Sequence, residues 1–170
     1  MHKYLYHGSD RKLNIGDKLL CHTSYNKYST EKVHACFATS SIAKAKYFGI
    51  INCIRPRILG ARSCMDNNKL YITDVAPVIK PKFYVYMVDF DDFVLDAKNE
   101  YMSDHDVLVR DIVEFDLVDT LNRDGLEVYQ VPHTDKSLPV SEQIEQLQNF
   151  IYSGQAYRLD IAELIKNHQK

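Results

Sequence analysis

The first pattern along the chain is an alternation of apolar and polar positions, Lys3-Tyr4-Leu5-Tyr6-His7, which predicts a strand ended by a break at Gly8-Ser9-Asp10. Leu13, Ile15 and Gly16-Asp17 predict a turn, and Lys18-Leu19-Leu20 a second short strand. His22 to Lys32 is polar, carries Tyr25 and Tyr28 and has no apolar period, so it reads as a loop. Val33 to Ala38 predicts a buried strand. Thr39 or Ser40 then offers the hydroxyl that caps a helix bearing Ile42, Ala43, Ala45, Tyr47 and Phe48, and Pro56 ends that helix before Arg55. Gly60 to Lys69 is a polar loop and Leu70 to Val75 a strand. Phe83 to Phe90 is the strongest strand by its β-branched and aromatic content.

Phe93 to Lys98 predicts a turn or short strand, with a break at Ser103-Asp104. Val107, Val109, Val113 and Phe115 mark a long strand, Leu117 to Asn122 a helical turn closed by Asp124-Gly125, and Leu126 to Val131 a last strand. The stretch from Pro132 to Val140 reads as a surface linker. Beyond it, Ser141 caps a helix with Ile144, Leu147 and Ile151 on one face, ended by Gly154, and Asp160 caps a second. The pattern predicts a domain of strands and short helices over 1–131, a linker over 132–140 and a C-terminal helical extension over 141–170. These last helices need a surface, either the domain's own sheet, a regulator or a second copy of the chain.

Composition narrows the function classes. At 170 residues with a formal net charge of -2, the chain has no electrostatic footprint for unspecific nucleic-acid binding. Cys21, Cys36, Cys53 and Cys64 match no zinc spacing and read as free thiols in a reducing compartment, which places the protein in the cytoplasm, with delivery into a host cell as an effector left open. The seven histidines show no metal-ligand spacing, so no metal is expected. No apolar run approaches the roughly 20 residues of a membrane span. Twelve tyrosines against no tryptophan suit both strands and the recognition of a planar polar ligand.

Three separated signals carry chemistry: a strand ending in His7-Gly8-Ser9, then Phe37-Ala38-Thr39-Ser40-Ser41-Ile42-Ala43-Lys44-Ala45-Lys46-Tyr47, then Asn99-Glu100-Tyr101. In this order they resemble the NAD-using ADP-ribosyltransferases of the diphtheria-toxin and poly(ADP-ribose) polymerase type, which include the small rifamycin-modifying enzymes, over roughly residues 4–131. The resemblance implies an α+β core on a split, mostly antiparallel sheet, with NAD as co-substrate. It implies that His7 bonds a ribose hydroxyl, that the backbone of Gly8, beside Ser9, pairs with the nicotinamide carboxamide, that Tyr47 stacks on the nicotinamide ring and that Glu100 is the catalytic glutamate. Cys36 stands at the cofactor-site position where the family commonly has a tyrosine, and Lys44 where many polymerase-type members have a serine.

The chemistry of the residues supports the same roles. Breaking the nicotinamide–ribose bond builds positive charge on the sugar, and a carboxylate such as Glu100 favours that charge. The nicotinamide of NAD is a pyridinium, which an aromatic face such as Tyr47 attracts by about 0.5–2 kcal/mol. The expected activity is therefore NAD-dependent mono-ADP-ribosyl transfer to an unknown acceptor: a protein side chain, a nucleic acid end or a small molecule. The alternative is a module of the same fold that holds NAD or ADP-ribose with little or no turnover, as the loss of the tyrosine at Cys36 allows. An RNA 2'-phosphotransferase is disfavoured by the lack of a basic stripe. Cys36 as a nucleophile is weak, since His34 shares its strand face but nothing orients that base.

Overall fold

A computed structural model of the chain describes residues 4–25, 32–56, 61–95 and 100–167. Lys3, Tyr28, Gly60, Lys98 and Asn99, used in the sequence readings, lie outside the described residues. In chain order the elements are β1 (Tyr4–Ser9), β2 (Lys18–Leu19), β3 (His22–Tyr25), β4 (Lys32–Ala38), α1 (Ile42–Ile54), β5 (Ser63–Asp66), β6 (Lys69–Ile72), β7 (Lys82–Asp89), β8 (Val94–Leu95), β9 (Tyr101–Ser103), β10 (Val107–Asp116), α2 (Leu117–Arg123), β11 (Glu127–Gln130), α3 (Val140–Tyr152), β12 (Tyr157–Leu159) and α4 (Ile161–Asn167). Among the described residues the protein is thus α+β, with mostly antiparallel sheets and four helices. It divides into two compact units, the first within Met1–Tyr25, Glu31–Asn52 and Lys82–Phe115, the second within Cys53–Pro81 and Asp116–Lys170. The second unit draws on both sides of position 131.

In the first unit one sheet runs β1-β7-β10-β2 and another β3-β4-β9-β8. β1 pairs antiparallel with β7 along its whole length, from Tyr4 opposite Asp89 to Ser9 opposite Tyr84. It therefore continues through Gly8 and Ser9, where the sequence suggests a break. The reason is packing: a Cβ on Gly8 would stand 1.8 Å from the carbonyl oxygen of Ala45 and 2.6 Å from the nitrogen of Gly49, so α1 seats on this strand only because Gly8 has none. Strand alternation puts Leu5 and His7 on the opposite face, with Val88 and Tyr86 across from them. Leu5, Tyr86 and Val88 join Leu19, Cys36, Phe93, Val107 and Val109 in one buried cluster.

Local chemistry moves two predicted features. Ser41, rather than Thr39 or Ser40, caps α1: its Oγ accepts from the Lys44 N–H at 3.2 Å, the third helical position when Ile42 is first. β3 is a strand inside the predicted loop; His-Thr-Ser-Tyr has no apolar alternation, and its conformation is set by the antiparallel ladder with β4.

In the second unit the sheet order is β12-β11-β6-β5, with β11 and β6 parallel and the outer pairs antiparallel. β5 occupies part of the predicted polar loop, turning into β6 through Asn67, which sits at φ 52, a region asparagine tolerates. α3 lays Leu147, fully buried, against Tyr71 and Val131, with Phe150 and Ile151 alongside. Ser141 does not cap it; Pro139 precedes it and makes no side-chain cap bond. Gly154 follows the helix at φ 74, as the sequence predicts, and Asp160 caps α4 through the Glu163 N–H at 3.0 Å. Among the described residues no helix is long and apolar enough to cross a membrane.

The docking of α3 makes Leu147 a sensitive position. Leu147→Ala should lower the unfolding free energy by about 2–5 kcal/mol, the usual cost of emptying a fully buried leucine site. Urea denaturation measures this, and an unchanged midpoint would show that α3 contributes nothing to the core.

Candidate active site

Two of the predicted stretches meet at Thr39. The Tyr6 N–H donates to the Thr39 carbonyl at 2.8 Å and the Thr39 N–H donates to the Tyr6 carbonyl at 2.9 Å, a single bridge that ties β1 to the end of β4. On the other side of β4, Ala38 pairs with Tyr101, Phe37 with Met102 and Cys36 with Ser103. Glu100, half-buried, is the next residue beyond this ladder, at the end of β4 where Thr39 crosses to β1. The second stretch continues from this corner into α1, which starts just after Thr39 and lies against Gly8, while Glu100 and Tyr101 of the third arrive through the ladder with β9.

His7 is held from two sides. Its Nδ1 lies 2.7 Å from the Phe37 carbonyl, and because a carbonyl only accepts, Nδ1 carries the hydrogen and Nε2 is the acceptor of the neutral ring. The ring stacks on Tyr86 at 6.4 Å between centroids and 10° between planes, and Tyr86 in turn stacks on Tyr84 at 6.3 Å and 3°. The Tyr86 hydroxyl accepts from the Leu13 N–H at 3.0 Å and donates to the Arg11 carbonyl, and burial pushes its phenol up to about 12. The stack is a neutral, fixed wall behind the imidazole.

Gly8 and Ser9 are both buried. Successive residues of a strand turn their backbone groups to opposite edges, so Gly8, like Tyr6, directs its N–H and C=O away from β7, on the side of the Thr39 bridge. The Gly8 carbonyl accepts from Asn52 Nδ2 at 3.3 Å. Ser9 spends its hydroxyl locally, accepting from the Arg11 N–H at 3.2 Å.

Cys36 and Tyr47 are placed differently from a simple pocket lining. Cys36 is 1 % exposed and its Sγ donates to the Leu19 carbonyl at 3.2 Å. Burial first, then the neighbouring Cys21 and Asp106, push its thiol up to about 12, so it is protonated and a poor nucleophile. Tyr47 is two residues from both Ala45 and Gly49, about half a turn round α1 from the face that meets Gly8. Its ring lies 5.7 Å from Phe48, and Lys44 holds its ammonium 6.0 Å above the same Phe48 ring.

Sequence reasoning missed two features of this unit. The orienting partner of His7 is a backbone oxygen, which no residue type announces. The Sγ atoms of Cys21 and Cys36 and a carboxylate oxygen of Asp106 lie within 4.8 Å of one another, although they are scattered along the chain. Among the described residues of the second unit, one open depression lies between α2, β11, β12 and the start of α4 and another beside His133, Gln146 and Phe150; neither is lined by His7, Gly8, Ser9, Cys36, Tyr47 or Glu100. Compared with protein-family models, curated proteins and solved structures, the chain matches none.

Two measurements probe this corner. Gly8→Ala should cost at least about 1–3 kcal/mol in urea denaturation, since the added methyl meets helix backbone and not a yielding side chain; a neutral substitution would mean that α1 does not seat on β1. The Cys36 thiol has an ordinary value of 9.0 and a folded value of about 12. Below 9 it is protonated in both states and its contribution to stability is whole; as pH rises toward 12 the unfolded chain loses the proton first and stability falls. Over that window the denaturation midpoint of the parent should fall more steeply than that of Cys36→Ala.

Proposed function

We propose that the chain is an NAD-dependent mono-ADP-ribosyltransferase, which cleaves the nicotinamide–ribose bond of NAD and transfers ADP-ribose to a protein side chain, a nucleic acid end or a small molecule. The observation that carries the reading is the Tyr6–Thr39 bridge, with His7 and Gly8 on one side of it and the start of β9, next to Glu100, on the other. NAD supplies an activated glycosidic bond whose leaving group is already a cationic ring.

The residues fit such a co-substrate in three respects. Gly8 has its amide edge turned away from β7, the complement of a flat carboxamide with one donor and one acceptor. His7, oriented through Phe37, has Nε2 as an acceptor for a ribose hydroxyl. Glu100 brings a carboxylate, the group that stabilises positive charge developing on the sugar. In this reading His7 and Gly8 hold and orient, and Glu100 acts on the transition state.

A second reading, a module that binds NAD or ADP-ribose without turnover, draws on Cys36. At this position the family commonly offers a tyrosine, whereas here a thiol is turned into the core toward Leu19. Incubation with NAD, following nicotinamide release with and without candidate acceptors, separates the readings. Glu100→Gln should keep NAD binding, which acts on the ground state, and slow release by about 100-fold or more, the scale of losing a principal electrostatic stabiliser. Binding without release in the parent chain favours the module, and absence of both would overturn the proposal.

A further inference from the structure

Cys21, Cys36 and Asp106 come from three separate segments of the first unit: the turn between β2 and β3, the middle of β4, and the loop between β9 and β10. The pairing of His22 with Ala35, continued by one residue, sets Cys21 across from Cys36. The pairing of Leu19 with Val107 brings the residues just before β10 to the same place. There the Cys21 N–H donates to Asp106 Oδ1 at 2.9 Å, which aims the carboxylate, and Cys21 Sγ points at the Ser103 carbonyl at 3.7 Å. Cys36 is buried, Cys21 half-buried and Asp106 exposed, so the group is closed on the core side and open toward Asp106.

The geometry points to a metal site in which Cys21 Sγ, Cys36 Sγ and an Asp106 carboxylate oxygen bind one divalent ion of the zinc class. The donor set is two soft sulfurs and one hard oxygen, a mixture that suits zinc and not magnesium or calcium. Zinc takes sulfur at about 2.3 Å and oxygen at about 2.0 Å, which separates tetrahedral donors by about 3.5–3.8 Å. The three atoms here, within 4.8 Å of one another, need to close by about 1 Å, a change within reach of side-chain rotation.

A divalent ion takes the two cysteines as thiolates, so binding releases the two thiol protons. His105, next to Asp106, turns its ring to Asp104 at 3.0 Å and Ser103 at 3.2 Å, which leaves the fourth position to water or an outside ligand. An ion here would tie the β2–β3 turn and the β9–β10 loop to β4, the strand whose Phe37 carbonyl orients His7. The inference needs no NAD and stands whether or not the transferase reading does.

The test is a titration of Co²⁺ into the reduced, chelator-stripped full chain with a phosphine reductant present. One equivalent should bind with an intense thiolate-to-cobalt band in the near ultraviolet, and Zn²⁺ should displace it. Cys21→Ser and Cys36→Ser should each weaken binding by at least about 10-fold, the least that loss of even an outer-shell partner costs, and Asp106→Asn should do so while keeping the sulfur band. Cys64→Ser, in the second unit, should change nothing. A folded parent chain without the band overturns the proposal, as does a Cys21→Ser chain with the parent's affinity and full band intensity or an affinity untouched by Asp106→Asn. Should Cys36→Ser fail to fold, the half-buried Cys21 and the exposed Asp106 decide the matter.

Discussion

Two backbone hydrogen bonds between Tyr6 and Thr39 govern the first unit. They join the β1 sheet to the β4 sheet at one point, and most of what surrounds the candidate site follows from where that point falls. The pairing sets the edge to which Gly8 turns its backbone groups, where its carbonyl accepts from Asn52, brings the Phe37 carbonyl to the imidazole of His7, and ends β4 so that Thr39 Oγ1 accepts from the Ser41 N–H at 3.2 Å just ahead of α1. A longer ladder between β1 and β4 would have consumed the Gly8 amide edge in pairing. Because the two strands meet at a bridge and no more, backbone groups next to it remain directed outward from β7.

Much of the strand layout was legible because alternation and β-branched content report burial directly. β7 is the clearest case: its predicted span of Phe83 to Phe90 differs from Lys82–Asp89 by one residue at each end, and it is buried on both faces, Phe83 and Val85 on one and the Tyr84–Tyr86 stack on the other. What failed was reading Gly8 and the hydroxyl residues by their local habits. Glycine after histidine suggests a turn, but here the chain needs a missing Cβ to admit α1. Three hydroxyls in a row, Thr39, Ser40 and Ser41, each qualify as a cap, and the choice between them is made by where the Thr39 bridge stops the strand. β3 and β12 are hidden for another reason: β3 is polar, β12 is only three residues long, and each is held by its ladder partner more than by its own pattern.

Donor sets built across a sheet are the least legible of all. Cys21 and Cys36 face each other only through the β3–β4 register, and Asp106 arrives through the β2–β10 pairing. Motif spacing detects ligands that share a turn or a helix face, where chain geometry alone fixes their distance. Here the distance is fixed by strand pairing, so cysteines that match no zinc spacing along the chain can still share one point in the fold.

The same separation of local from tertiary causes decides what weight each candidate site residue carries. Gly8 is required by the seating of α1, and Cys36 by the core it fills; neither needs a ligand to account for its identity. His7 is different, because a ring stacked on Tyr86 and bonded to a carbonyl is more constraint than a strand-end histidine requires. Fixing the tautomer is costly in side-chain freedom and gains nothing for the core that a leucine would not supply. A polar side chain with one nitrogen committed to the backbone has its other nitrogen aimed, and under the proposed function it is on His7, together with Glu100, that the chemistry of this corner would turn.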